Sequence, residues 1–521
     1  MYWSDKVAKQ IIESGEYMPY HVDDMFTPSG YAHIGSLRGP LVHDLIFKSI
    51  KDLGQGVVFT FVINDFDPVD GLPPELESDF SSELGLPLRK ARSPQKDFKS
   101  FADYFANDYL IVMKKLGVEP EVVSSWDMYR EGKFDGVIKE ALDNADEIQK
   151  IYQEINPNQK KQIGWLPLQI ICENCGKLGT TNVTDWNGET VAYACEPNLV
   201  KWAQGCGHSG RISPFGGNGK LPWKVDWPAH WKALGVTIEG AGKDHSVAGS
   251  SRDVAREICQ RVFHIGEPFN LPYEFFTLGG KKMSSSKGLG LKARDIFNIL
   301  PANVARFLFS RTDYRQEIDF DPIGTMAIPD LFDEYDRCWL NYINGIEEDF
   351  SRAFEMAQID ELPPKEKTFL PRFRDVVNFM QQGGDLGKKF AEIKGLELNE
   401  LEKDILKERE KYGKIWIEKY APEELKMGMS DKLPEQANNL SQLQKEYLNK
   451  VMGILDQAED AEKLQTELYT LSQEMNVKAK DAFAAIYLSM IGKEYGPKAG
   501  QFLLQYPKEK IIQRLQEAIE K

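Results

Sequence analysis

The sequence predicts an α/β protein: a doubly wound parallel sheet with a zinc-containing insertion, followed by an all-helical C-terminal domain. Three observations carry this. A strand–helix–strand pattern fills the first 65 residues, with a seven-residue apolar run, Val57–Ile63, as its second strand. The pattern breaks over a Pro/Gly/Asp/Ser-rich and then cysteine-bearing middle block, and resumes near Val236. Beyond about residue 399 only helical patterns follow one another.

Element by element, residues 17–23 read as a first strand. Thr27-Pro28-Ser29-Gly30 is a turn, and Ile34, Leu37, Leu41, Leu45 and Ile46 recur at helical spacing. Residues 66–100 read as loop, and 101–116 and 133–155 as helices. Residues 236–240 form a strand, 247–263 a helix and 273–278 another strand. The segments 399–420, 437–457, 460–475, 478–494 and 500–520 are helical, with an apolar stripe Phe483, Ile486, Tyr487, Met490 and Ile491 in the fourth. The expected domains are a Rossmann-like sheet in two halves, 1–66 and 220–290, and a connective insertion over 67–219 with its metal segment at 165–212. A linker over 291–345 leads to a helical domain over 346–521.

Of 521 residues, 42% are hydrophobic and 28% charged, which suits a globular chain. The net charge of −16 excludes a uniformly basic nucleic-acid coat protein but not an enzyme with a local basic face. No run approaches the roughly 18 apolar residues of a membrane span, and charges at the start replace the apolar core of a leader. Six cysteines are too few for a disulfide scaffold, so a soluble, cytoplasmic protein is expected, without a membrane and without a stable protein partner.

Four of those cysteines crowd together. Cys172-Glu-Asn-Cys175-Gly is a metal knuckle, and Cys195 and Cys206 follow, with His208 as an alternative to one of them. Four such ligands suit a closed, tetrahedral structural Zn²⁺.

Two further motifs carry chemistry. Thr27-Pro28-Ser29-Gly30-Tyr31-Ala32-His33-Ile34-Gly35-Ser36 sits where the first strand yields to a helix. Helix N-termini bind phosphate, and Gly30 and Gly35 let a nucleotide approach the backbone. After the strand at 273–278 and Gly279-Gly280 comes Lys281-Lys282-Met283-Ser284-Ser285-Ser286-Lys287-Gly288, a loop suited to closing on polyphosphate.

Together, His33-Ile-Gly-Ser36 and Lys282-Met-Ser-Ser-Ser286 resemble the two signature motifs of class I aminoacyl-tRNA synthetases. The family usually has a second histidine where Ser36 stands and a second lysine where Ser285 stands, with Lys287 two positions on as a substitute. These departures, with Trp223-Lys-Val-Asp226-Trp227-Pro228 and Gly240-Ala-Gly-Lys-Asp244-His245, resemble the class I lysyl-tRNA synthetase family. The resemblance implies substrates ATP with Mg²⁺, L-lysine and tRNA(Lys), a lysyl-adenylate intermediate, and a helical domain that reads the anticodon.

It implies His33, Lys282 and Lys287 as catalytic. Pro28, Gly30, Gly35, Ser36, Gly240, Asp244, Met283, Ser284 and Ser286 join His33 and Lys282 around ATP. Thr27 falls near the α-amino or carboxylate end of the amino acid, with Trp223, His245 and Tyr273 in the same pocket. Asp226 is added on charge grounds as a partner for the ε-ammonium. Arginyl, glutamyl and cysteinyl enzymes share both signatures, and a tRNA-binding paralogue that activates nothing is the alternative outside catalysis. A glutamate pocket needs an arginine near the first motif, where Arg38 is the one close by. Lys388, Lys389 and Lys394 are the expected local basic surface for tRNA.

Overall fold

The computed structural model describes the whole chain apart from residues 156–163, 283–290 and 347. It divides into two compact units: Met1–Asp321 with Arg337–Lys365, and Pro322–Asp336 with Glu366–Lys521.

The first unit is organised by a parallel sheet. Strand β1 (Tyr20–Phe26) pairs with β2 (Val57–Ile63), and β2 with β3 (Glu121–Ser124), all in parallel. On the other side of β1, Val22 bridges Ile238, and Ile238 bridges Phe269, both in parallel. The same two outer segments continue as Ala241–Gly242 paired with Pro272–Tyr273. The sheet therefore runs outward in both directions from the first strand, the topology that opens a crevice at the carboxyl ends of its strands. The central strands are buried on both faces: Phe59 of β2 meets Phe47 of the helix Arg38–Asp52, whose Leu41, Val42, Leu45 and Ile46 are all buried, while Val62 packs on the opposite face with Phe66 and Trp126. The third strand, β3, comes from within residues 67–219, the block read from sequence as an insertion.

The rest of that block holds the helices Phe101–Lys115, Asp135–Asp143 and Ala145–Ile155, then a three-stranded antiparallel sheet, Thr181–Trp186, Val191–Cys195 and Ser209–Ile212. A two-residue ladder, Gln169–Ile170 against Gly219–Lys220, brings both ends of this module together. Phe276–Leu278 pairs antiparallel with Lys281–Lys282 across Gly279-Gly280, and both glycines take positive φ (+55° and +71°). That geometry is the tight hairpin turn that glycine alone adopts without strain. Residues 346–365, expected to open the helical domain, pack in the first unit, where Phe354 stacks on Trp339 at 5.2 Å.

The second unit is helical. It includes Phe373–Gln382, Glu400–Lys419, Gln442–Gln457, Ala461–Glu474, Ala479–Ile491 and Lys508–Glu520. Capping boxes at Asn399/Glu402 and Ser441/Gln444 start two of these helices where the sequence places polar residues before an apolar stripe. Ile486, Tyr487, Met490 and Ile491 of the expected stripe are buried in its core, and Phe483 packs at the margin. Among the described residues no helix is long and apolar enough to cross a membrane.

Candidate active site

A cleft of about 850 Å³ opens in the first unit, at the carboxyl ends of β1, β2 and the segment through Ile238. Its lining gathers Thr27, His33 and Ser36 from the first motif with Trp223, Gly240, Asp244, His245 and Tyr273. These residues lie up to 246 positions apart in the chain; Thr27, Gly240 and Tyr273 meet because they follow or end strands of the parallel sheet, and Trp223 joins them from the start of the helix after the Gly219–Lys220 ladder.

The first motif forms a short 3₁₀ turn, Ile34–Leu37, that leads into the helix Arg38–Asp52. His33 caps it: its Nδ1 accepts the Ser36 N–H at 3.1 Å and lies 3.4 Å from the Ser36 hydroxyl. Accepting at Nδ1 puts the proton of a neutral ring on Nε2, a donor suited to phosphate oxygen. Ser36 thus orients the histidine before it. Gly35 belongs to this turn and Pro28 and Gly30 to the segment before it, and none of the three lines the cleft.

At the other end stands an aromatic wall. Trp223 opens the helix Trp223–Leu234, is 40% exposed, and stacks on Trp227 at 5.2 Å and 18°. The His245 ring meets Trp223 edge-on at 5.6 Å. An exposed indole face beside carboxylates is a receptor for an alkylammonium. The carboxylates are Asp24, Asp67, Asp70, Glu239 and Asp244. Burial pushes Glu239 up to about 7, against the neighbouring Arg252 and the indole N–H groups of Trp227 and Trp231 that it accepts. Burial, and then Asp67, also raise Asp70. Tyr273 is raised well above the usual phenol range by burial and by Asp24, Glu239 and Asp244.

Asp226 does not reach this cleft. It is 2% exposed and bonded to Lys220 Nζ at 2.5 Å and to the Tyr129 hydroxyl. Burial alone would raise its carboxyl, but Lys220 holds it below the ordinary range. The chain's own lysine has taken the role expected of a substrate ammonium. Arg38 is equally committed, donating to the carbonyls of Phe309, Asp313 and Gln316. In the second unit Lys389 bonds the Gly383 carbonyl at 3.0 Å and Lys394 bonds Glu402 at 2.5 Å, so two of the three expected tRNA lysines serve their own domain.

Of the second motif, the structure shows the backbone hairpin through Lys281–Lys282. Met283, Ser284, Ser285, Ser286 and Lys287, and the Lys282 side chain, lie outside the described residues.

Several cleft residues escaped the sequence reading. Asn64 and Asp67 directly follow β2, where the strand-end rule would have pointed. His43 carried no motif at all. Fully buried, it accepts the Gly240 N–H on Nε2 at 2.8 Å and donates from Nδ1 to the Gly39 carbonyl at 2.8 Å. It pins the Gly240 turn to the helix that follows the first motif. That turn tolerates no side chain, since a Cβ on Gly240 would lie 2.5 Å from the Leu271 carbonyl.

The sulfurs of Cys172, Cys175, Cys195 and Cys206 all lie within 4.8 Å of one another, with Cys172–Cys206 at 3.6 Å and Cys175–Cys195 at 3.7 Å. Four thiolates about 2.3 Å from a tetrahedral Zn²⁺ stand about 3.8 Å apart, so the donor set fits. His208 is not part of it. Its ring packs on Tyr193, and it joins the module through its backbone, its carbonyl accepting the Cys195 N–H.

Comparison with known proteins bears on this site. A family model described as tRNA synthetases class I (K) matches residues 1–361, and one described as an anticodon binding domain matches 421–519. The chain is similar to a lysine–tRNA ligase of Methanocaldococcus jannaschii, 34% identical over 99% of each chain. It is also 30% identical, over the full length of both, to a lysine–tRNA ligase of Archaeoglobus fulgidus. Among solved structures, a glutamate tRNA ligase from Elizabethkingia meningosepticum aligns over 96% of this chain and 99% of its own, at 11% identity and a TM-score of 0.44.

Proposed function

Because this chain belongs to the class I (K) family of tRNA synthetases, we propose that it joins L-lysine to tRNA(Lys) using ATP, through a lysyl-adenylate. The lysine carboxylate attacks the α-phosphate of Mg²⁺-bound ATP, and pyrophosphate leaves. The lysyl group then passes from AMP to a ribose hydroxyl at the 3′ end of the tRNA. No protein nucleophile is required, so the chain contributes position and charge.

The observation that carries this reading is the pairing of ends within one cleft. His33 and the turn it caps stand at the phosphate end, and the exposed Trp223 face among carboxylates stands at the other. His33 Nε2 donates to phosphate. Gly240, pinned by His43, and Asp244 bind the adenosine. Trp223 and His245 take the ε-ammonium end, with Tyr273 closing the pocket beside Asp24. Lys282 and Lys287 offset the charge of departing pyrophosphate.

Cys172, Cys175, Cys195 and Cys206 would hold a Zn²⁺ that braces the inserted module and leaves no position open for substrate. The helical domain containing residues 421–519 reads the anticodon. The commitment of Arg38 to three carbonyls favours lysine over a glutamate pocket.

The test is aminoacylation of total tRNA with a panel of labelled amino acids. Charging with lysine alone is expected, and Lys282→Ala abolishes charging while leaving tRNA binding within about threefold. Charging with arginine, glutamate or cysteine would overturn the pocket assignment. Failure to charge any amino acid would favour the non-activating paralogue.

A further inference from the structure

The aromatic wall of the cleft hangs from the metal module. Gly219–Lys220, the strand that leaves the module, pairs antiparallel with Gln169–Ile170, the strand that enters it. Leu221 and Pro222 alone separate Lys220 from Trp223, which opens the helix of the wall. Gln169, Leu221, Pro222 and Trp223 all line the cleft, as does Asp67, whose Oδ1 lies 2.9 Å from Lys220 Nζ. The ladder is also close-fitting: a Cβ on Gly219 would lie 2.9 Å from the Ile170 side chain and 3.2 Å from the Gln169 carbonyl oxygen.

The entering strand is tied to the four cysteines. Cys172 stands two residues beyond Ile170, and between them the Ile171 N–H donates to the Asn218 carbonyl at 2.9 Å. The Thr181 hydroxyl grips Ile170 from both sides, accepting its N–H at 3.0 Å and donating to its carbonyl at 2.7 Å. The residue before it, Thr180, has its hydroxyl 3.2 Å from Cys195 Sγ. Ile170, Cys172, Thr180, Thr181 and Cys195 are all buried. Thiolates this close repel one another and neutral thiols bond only weakly, so the cysteines hold these strands together through a bound cation. The free energy of metal binding is then folding free energy of the strands that carry the ligands. The phosphate end of the cleft lies off this path, since His33 is set by its own turn and Gly240 by His43.

We propose that the ladder ending in Lys220 links amino-acid binding to metal binding at the four cysteines. With the metal bound, the ladder sets Lys220 beside Asp67 and Trp223 in the wall of the cleft. Without it the entering strand loses its tie, and the amino-acid end of the cleft loosens while the ATP end does not. This rests on the reading of the cleft as an amino-acid-activating site. Such linkage is reciprocal, so the amino acid strengthens metal retention by the factor by which the metal strengthens amino-acid binding.

The experiment measures both directions on the full chain. Calorimetry follows L-lysine and a non-hydrolysable ATP analogue, with zinc bound and after stripping by a chelator. Stripping should weaken lysine binding roughly tenfold, inside the usual span of site–site coupling, and leave the ATP analogue within about twofold, which also shows that the rest of the cleft is folded. On the zinc-loaded chain, competition with a chromogenic chelator should show saturating lysine raising zinc affinity by the same factor, and the ATP analogue leaving it unchanged. Thr181→Val keeps all four cysteines and removes the grip on Ile170; it should still bind about one zinc per chain, with the linkage reduced to about threefold or less. Equal lysine affinity with and without zinc, loss of both ligands together on stripping, zinc retention indifferent to lysine, or an undiminished linkage in Thr181→Val overturns the proposal. If the zinc-loaded wild type bound another amino acid in place of lysine, the lysine reading would fall, and the same linkage measured with that amino acid would still decide this one.

Discussion

Replacing Lys220 by methionine isolates the energetic core of the site. The Lys220 side chain is 1% exposed and its ammonium lies 2.5 Å from Asp226 and 2.9 Å from Asp67. Asp226 is itself 3% exposed at the side chain, so the substitution strands a carboxylate whose remaining partners include the Tyr129 hydroxyl. Breaking a buried pair in this way costs about 3–5 kcal/mol. Asp67 bears less of that cost, because its side chain is 21% exposed and keeps the donors of Thr27 and Asn64.

The pH dependence has a definite sign. In the wild type Lys220 holds the Asp226 carboxyl below its ordinary range, so this stabilisation is present at neutral pH and is lost as pH falls through that depressed value. In Lys220→Met, burial without the ammonium raises the same carboxyl. Acidification from pH 7 to pH 5 should then raise the stability of the variant by more than it raises that of the wild type, where Glu239 titrates in the same window. Urea unfolding followed by tryptophan fluorescence reads both effects. Lys220→Met/Asp226→Asn should regain most of the loss, because the neutral amide still accepts from Tyr129. A single-variant loss below about 1 kcal/mol at pH 7, or a double variant no better than the single, would refute the reasoning.

Cys175→Ser should release bound metal, lowering zinc from about one equivalent per chain to a small fraction by elemental analysis, and should destabilise the module that ends in Gln169 and Lys220. His43→Ala removes the acceptor of the Gly240 N–H and should raise the KM for ATP several-fold in pyrophosphate exchange, with a smaller effect on lysine. Glu239 sits at about 7 when folded, above its ordinary value of 4.5, so the folded chain binds its proton more tightly than the unfolded chain. Stability should therefore decline as pH rises from about 4.5 to about 7, and Glu239→Gln should flatten that decline in melting profiles across this range.

Much of this protein was legible in local pattern. The apolar run Val57–Ile63 is the strand it was read to be, because a strand buried on both faces needs no alternation. The knuckle at Cys172 and Cys175 pointed to the four-cysteine cluster because ligand spacing is a local property. The helix Trp223–Leu234 was not read as one: its tryptophans drew attention as pocket residues, and Pro228 interrupts its pattern. The choice between Cys206 and His208 also lay beyond spacing, since it depends on which side chain the antiparallel sheet turns toward the other three sulfurs.

The sequence by itself determined the opening strand–helix–strand unit, the two motifs and the four-cysteine set, since each rests on residues close along the chain. Only the tertiary structure decided which charges face the substrate. Asp226 looked available beside Trp223, but the ladder that returns Lys220 to Gln169 puts an ammonium on it and removes it from the cleft. Asn64, Asp67 and His43 carried no motif, and they gain their roles from partners such as Thr27 and Gly240 that the parallel sheet brings alongside. Hydrogen-bond partners are set by distance in space, and a charge or an amide is available to a ligand only to the extent that the fold has left it without one.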